Sequence, residues 1–202
     1  MVKRIVFAER GYLVPFGVFD PAKHESGLLV AEYVQRNEAD WADTRVLEIG
    51  TGCGLIAGAL HDAGAKVIAT DVSRFAIETA TGNLVHTSVE LRRGDLFDPV
   101  RGERFDTIVM NPPYEVGRSL RPRFRSPDLL ERLAAEWPKF ADRLVLAFPT
   151  DSADVLKVLG FDLHLVDRLK SSGRELGIFA PTPRKDLYVK TDRIGPKIRT
   201  DL

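Results

Sequence analysis

The sequence predicts an α/β fold with a doubly wound, largely parallel sheet, and three observations carry that reading. From residue 45 onward, apolar runs of strand length alternate with stretches of helical periodicity. Val67-Ile68-Ala69 and Ile108-Val109-Met110 are continuously apolar, as central parallel strands buried on both faces require. Between a first strand at Arg45–Ile49 and a helical pattern from Leu55 to Ala63 lies only Gly50-Thr51-Gly52-Cys53-Gly54, a tight β–α turn. Right-handed crossovers then wind helices onto both faces and leave ligands to the carboxyl ends of the strands.

The elements follow in chain order. Arg4–Phe7 and Tyr12–Val14 read as a small hairpin around Glu9-Arg10-Gly11. In the segment Gly17–Gly27, Pro21 sits near a helix start, where its missing N–H is harmless. Leu29, Val30, Tyr33 and Val34 then share one helical face. This helix covers one edge of the sheet. Strands are expected at 45–49, 66–70, 89–92, 105–110, 143–148, 161–167 and 186–191, with helices near 55–63, 73–84, 127–136 and 151–159. The last two strands are separated by a polar loop without a helix pattern, which suits an antiparallel pair. Residues 1–44 thus form an N-terminal extension and covering helix, 45–191 the ligand-binding domain, and 192–202 a frayed tail.

Composition narrows the class. A chain of 202 residues is long enough for one domain with a good core. Its 44% hydrophobic and 29% charged content is ordinary for a soluble globular protein. No run approaches the ~18–20 apolar residues that span a bilayer. The first apolar run stops at Glu9, too short for a signal peptide, so a cytoplasmic location is the default. The single cysteine excludes an intramolecular disulfide and a cysteine-built zinc site. His24, His61, His86 and His164 lack metal-ligand spacing, so no metal is expected. A net charge of zero gives no global pull towards nucleic acid, though it leaves room for a local basic patch.

The motifs are more specific. Gly-x-Gly-x-Gly after Glu48 departs from the Gly-x-Gly-x-x-Gly of dehydrogenases. One β–α unit later, Ala65–Asp71 is an apolar run ending in an acid, placed to accept both hydroxyls of a ribose. Phe105–Met110 then runs into Asn111-Pro112-Pro113-Tyr114. In this order, glycine loop, acid and Asn-Pro-Pro-Tyr resemble the class I S-adenosylmethionine-dependent methyltransferases that carry an N-P-P-Y motif. The resemblance spans roughly Val46 to Val189. It implies a Rossmann-like seven-stranded sheet with an antiparallel last strand, and S-adenosyl-L-methionine as cofactor.

It also implies roles. Gly50, Gly52 and Gly54 form the floor under the amino-acid part of the cofactor, and Glu48 acts on its ammonium group directly or through water. Asp71 takes the ribose; the plain alternative is a helix N-cap before Ser73. In the family, an acid after the third strand accepts from the adenine amino group and an apolar neighbour flanks the ring. That places Asp95 and Leu96 at adenine, with Asp98 as a second candidate, against a plain turn acid. The segment before the covering helix closes over the methionine end of the cofactor. Cys53 reads as a space-filler rather than a nucleophile.

Asn-Pro-Pro-Tyr suits one chemical problem. An amide or exocyclic aromatic amine is planar, and its delocalised lone pair makes nitrogen a poor nucleophile. The Asn111 side-chain carbonyl and the Pro112 backbone carbonyl can hold both N–H bonds and favour charge building up on nitrogen. The prolines, Pro113 included, fix the backbone so that those acceptors converge. Tyr114 stacks on the planar group and stabilises developing positive charge through its ring face. Positioning and electrostatics therefore carry most of the catalysis. The alternative is a Pro-rich turn ending a strand.

Two acceptors divide the N-P-P-Y enzymes. Val18-Phe19-Asp20-Pro21-Ala22, Gly52-Cys53-Gly54-Leu55-Ile56-Ala57 and Gly94-Asp95-Leu96-Phe97-Asp98-Pro99-Val100 resemble the small stand-alone release-factor glutamine methyltransferases, which implies a glutamine amide in a protein. Against this, Arg118, Arg121, Arg123 and Arg125 follow the motif and would suit phosphates, while Phe124 can stack on a base. That favours an exocyclic amine of adenine or guanine in RNA or DNA. The loop also reads as plain solvated surface or as a dock for an acidic protein. The partner is thus a macromolecular substrate, a release factor or RNA, with the need for a small activator subunit left open and no membrane involved.

Overall fold

A computed structural model of the chain describes residues 2–113, 128–171 and 174–181. An antiparallel hairpin, β1 (Val2–Phe7) and β2 (Arg10–Pro15), comes first. Its turn is Ala8-Glu9, with φ of 46° and 67°. The expected Glu9-Arg10-Gly11 turn is therefore displaced, because Arg10 and Gly11 already pair with Phe7 and Val6. Positive φ at both central residues matches the twist of the strands, and two residues without the usual Asn-Gly signature adopt it here.

Then come α1 (Pro21–His24), α2 (Ser26–Arg36), β3 (Arg45–Ile49), α3 (Leu55–Asp62), β4 (Lys66–Asp71), α4 (Arg74–Asn83), β5 (Glu90–Arg93) and β6 (Phe105–Met110). After the gap in description follow α5 (Leu129–Glu136), β7 (Ala141–Pro149), α6 (Asp154–Val158), β8 (His164–Ser171) and β9 (Arg174–Ala180). Seven strands make one Rossmann-like sheet in the order β5-β4-β3-β6-β7-β9-β8. β3 to β7 are mutually parallel, and β9 runs antiparallel to both β7 and β8.

The alternation of side chains splits the core in two. Val46, Val67, Val109 and Val145 face a layer of α2, α3 and the hairpin, with Leu28, Leu60 and Tyr12 buried against them. Leu47, Ile68, Ile108, Leu144 and Leu146 face Phe97, Leu133, Phe140 and Leu156 on the other side. Each such side chain stabilises the fold by about 1.5–3 kcal/mol on burial. Tyr12 rests directly on α3, where a Cβ on Gly58 would fall 2.2 Å from its hydroxyl. Asn83 then ties three segments together. Its Oδ1 accepts from Leu13 N (2.8 Å), and its Nδ2 donates to the carbonyls of Leu13 and Cys53, both at 2.9 Å.

The end of the sheet corrects one expectation. The polar loop expected after residue 167 is instead the rest of β8 and the whole of β9. Leu176, Ile178, Phe179 and Ala180 are buried between β7 and β8. Gly177 is small because Leu165 and Phe179 crowd it, a Cβ falling 2.4 Å from Leu165 Cδ1. A glycine required by packing and the charged pair Arg174-Glu175 at its start together disguised the strand. The strand expected at 186–191 and the tail at 192–202 lie outside the described residues.

Candidate functional site

Strand order reverses between β3 and β6, and the chain leaves both at their carboxyl ends. Ile49 pairs with Met110, so the glycine loop and Asn111 emerge side by side. This is the switch point at which open α/β sheets bind ligands.

Gly50 and Gly52 have φ of 82° and 58°, and a Cβ on either would meet nothing within 4 Å. Their backbone is exposed to a ligand at close range, in a conformation that L side chains rarely adopt. Gly54 differs. Its φ is 87°, but a Cβ would lie 2.8 Å from Leu84 Cδ1, so this glycine lets α3 start against α4.

Glu48 is 1% exposed. Its Oε2 accepts from Thr51 Oγ1 at 2.7 Å, while Oε1 is buried with no well-formed hydrogen bond among the described residues; the Ala57 backbone N–H is near enough to favour the charged form. Burial pushes the carboxyl up to about 8, and the nearby Asp71 charge adds to the rise. Asp71 accepts from Gly52 N–H on Oδ2 (3.0 Å) and from Ser73 N–H on Oδ1 (2.8 Å). Burial raises its pKa too, and these two bonds oppose the rise. The N-cap of α4 is Ser73, whose Oγ accepts from Ala76 N–H, so Asp71 is not the cap. Together the groups offer a buried acceptor to a cation and a half-screened carboxylate to a pair of hydroxyls.

Beyond β5, Asp95 is ion-paired to Arg132 of α5 at 2.8 Å. Leu96 is 4% exposed, with φ of 44°. Asp98 pairs instead with Arg101 at 2.6 Å. Cys53 is buried, and burial pushes its thiol up to about 12, as suits a space-filler.

Asn111 caps the arrangement. Its Nδ2 donates to Ser26 Oγ, the first residue of α2, at 3.0 Å. Its Oδ1 is buried and has no partner among the described residues. Pro112 is buried and Pro113 exposed. Tyr114, Arg118, Arg121, Arg123, Phe124 and Arg125 lie outside the described residues. Sequence reading did not find Ser26, which sits 85 positions before its partner with no motif linking them. Thr51 was visible as part of the glycine loop but not as the partner of Glu48.

The profile of the methyltransferase small domain family matches residues 15–127. A provisionally named protein N5-glutamine methyltransferase of Methanocaldococcus jannaschii is 30% identical over 181 residues, covering 79% of this chain and 88% of that protein. A release factor glutamine methyltransferase of Xylella fastidiosa is 41% identical over 95 residues, 45% of this chain and 34% of that protein. The chain therefore matches only about a third of that second relative's length. Among solved structures, a 16S rRNA N2 methyltransferase of T. thermophilus in complex with AdoMet and guanosine superposes with a TM-score of 0.64 at 18% identity. The match covers 91% of this chain and 50% of that one, and the likeness is one of fold.

Proposed function

We propose the acceptor from one premise: this chain belongs to the methyltransferase small domain family and is an S-adenosylmethionine-dependent methyltransferase. The acceptor is a planar nitrogen, and the side-chain amide of glutamine in a protein such as a translation release factor is our choice. Asn111 Oδ1 carries the reading. It is buried and has no partner among the described residues, while Nδ2 gives an N–H to Ser26, so the side chain keeps a free acceptor for a substrate N–H. The Pro112 carbonyl takes the second N–H, and the two acceptors together favour charge building up on the nitrogen. Tyr114, outside the described residues, is the side chain we assign to stack on the planar group.

The open glycines and the buried Glu48 carboxyl fit the cofactor. Gly50 and Gly52 would cradle its amino-acid end, Glu48 would receive its ammonium, Asp71 its ribose, and Asp95 and Leu96 its adenine. When bound, it would supply an electrophilic methyl on a sulfonium. Asn111 and Pro112 would hold the acceptor nitrogen and stabilise the charge that builds on it; no strong base is required before transfer. The relative of which the chain covers 88% is named for glutamine, which favours the amide over a nucleobase amine. Among the described residues no helix is long and apolar enough to cross a membrane, and substrates of the translation machinery would place the enzyme in the cytoplasm.

Transfer of labelled methyl into a cell extract, with nuclease- and protease-treated halves, tests this. Label lost to protease alone and recovered as N5-methylglutamine after hydrolysis is the expected result. Label lost to nuclease alone would overturn the glutamine reading and give Arg121, Arg123, Phe124 and Arg125 a nucleic acid to hold. If adding a small activator subunit is what restores label, the subunit is part of the enzyme.

A further inference from the structure

We propose that Ser26 is a positioning residue that anchors the Asn111 amide through Nδ2 and so leaves Oδ1 to the acceptor nitrogen. The inference rests on the planar-nitrogen reading above. An asparagine amide presents an acceptor on one side and two donors on the other, and a half-turn about its last bond exchanges them. A substrate N–H needs the acceptor. In that orientation Nδ2 points into the protein, where an N–H left without a partner is costly. Ser26 Oγ, on a residue 1% exposed, supplies the partner at 3.0 Å.

The N-terminal extension is built to place this hydroxyl. Lys3 Nζ pairs with Asp20 Oδ2 at 3.1 Å, and Asp20 Oδ1 accepts from Ala22 N–H at 2.9 Å, which fixes the start of α1. Glu25 donates its N–H to Pro21 O (2.8 Å) and turns into the left-handed region, φ 53° and ψ −22°. That break ends α1 and starts α2 on Ser26. Gly27 lets α2 pass beside Pro21, where a Cβ would come within 3.1 Å of the ring. The segment read from the sequence as a cover over the cofactor thus also reaches the reacting end of the site.

The test compares wild type, Ser26→Ala and Ser26→Thr, with the protein fraction of a cell extract as acceptor probe and calorimetry for S-adenosylmethionine affinity. Ser26→Ala is expected to lose about tenfold to a hundredfold in turnover at saturating cofactor, with cofactor affinity and KM unchanged. Ser26→Thr, which keeps the hydroxyl, should regain most of it. Unchanged turnover in Ser26→Ala, a parallel fall in cofactor affinity, or no rescue by threonine would each overturn the proposal. Should the alanine variant not fold, Ser26→Cys, similar in volume but a weak acceptor, is read in the same way. If wild type labels RNA instead, the glutamine reading falls, and the Ser26→Ala to wild-type ratio on that RNA still decides the role of Ser26. If wild type labels protein and Ser26→Ala matches it, the glutamine reading stands and the role of Ser26 falls.

Discussion

The two halves of the site are held by different kinds of bond. At the carboxyl ends of β3 and β4 most of the donors are main-chain groups: Gly50 and Thr51 N–H donate to Thr70 O at 2.8 and 3.0 Å, and Gly52 and Ser73 N–H donate to the Asp71 carboxylate, beside one side-chain bond from Thr51 to Glu48. All the residues joined by those main-chain donors lie within 24 positions of one another. At the end of β6, Asn111 depends on a side chain from α2, 85 residues earlier. A cradle of main-chain groups suits a ligand that is the same in every turnover. An acceptor held by crossing side chains can be retuned by one substitution, and it makes the N-terminal extension part of the enzyme.

Five substitutions sharpen or break this comparison. Asn111→Ala should cut turnover about 10²–10³-fold, as loss of an electrostatic group in a buried site does, while calorimetry shows unchanged cofactor affinity. A parallel loss of affinity would mean that the halves are not separable. Glu48→Gln probes the first half through pH. Glu48 is an acid whose folded pKa, about 8, lies above its ordinary 4.5, so ionising it costs more in the folded protein. The native state binds the extra proton, and stability falls as pH rises from the lower value through the higher. Wild type should therefore lose ~2–3 kcal/mol relative to Glu48→Gln between about pH 6 and about pH 9, read from urea midpoints. An equal gap at both pH values would remove the buried-proton account.

Asp71→Ala frees Gly52 N–H and Ser73 N–H and should weaken cofactor binding about tenfold to a hundredfold. Unchanged affinity would strip Asp71 of its ribose role. The smallest effect separates two glycines with equal room for a Cβ. Gly82, in α4, meets nothing within 4 Å and has no positive φ, so Gly82→Ala should stabilise by about 0.5–1 kcal/mol. Gly52→Ala, at φ 58°, should instead destabilise and weaken the cofactor. If the two behave alike in thermal midpoint, open space alone governs and the loop conformation does not.

The legibility of the chain follows the same divide. That Glu48, Gly50, Gly52 and Asp71 gather at the carboxyl ends of β3 and β4 was readable because strand, turn and acid follow closely in sequence, and continuous apolar runs mark β4 and β6 as interior strands. Gly54 was readable as part of the loop but not in its function, since only the approach of Leu84 shows that it serves packing. Ser26 was not readable, because its partner is set by tertiary contact rather than spacing. β9 was missed because its burial comes from the two core layers on either face of the sheet, and its own residues 174–175 and 177 carry charge and glycine, the marks of a loop. The Ala8-Glu9 turn was misplaced by trusting Gly11 to mark it.

The place of β9 between β7 and β8 has a consequence for synthesis. β8 pairs with β9, and β7 meets β9 on the side away from β6. As the chain leaves the ribosome, β7 therefore waits with one open edge, the backbone of Leu146–Pro149, until residues through Ala180 have emerged. The last strands then close together rather than one by one. A nascent chain paused after β8 would be the species most exposed to edge-to-edge association, and the one a chaperone has most reason to hold.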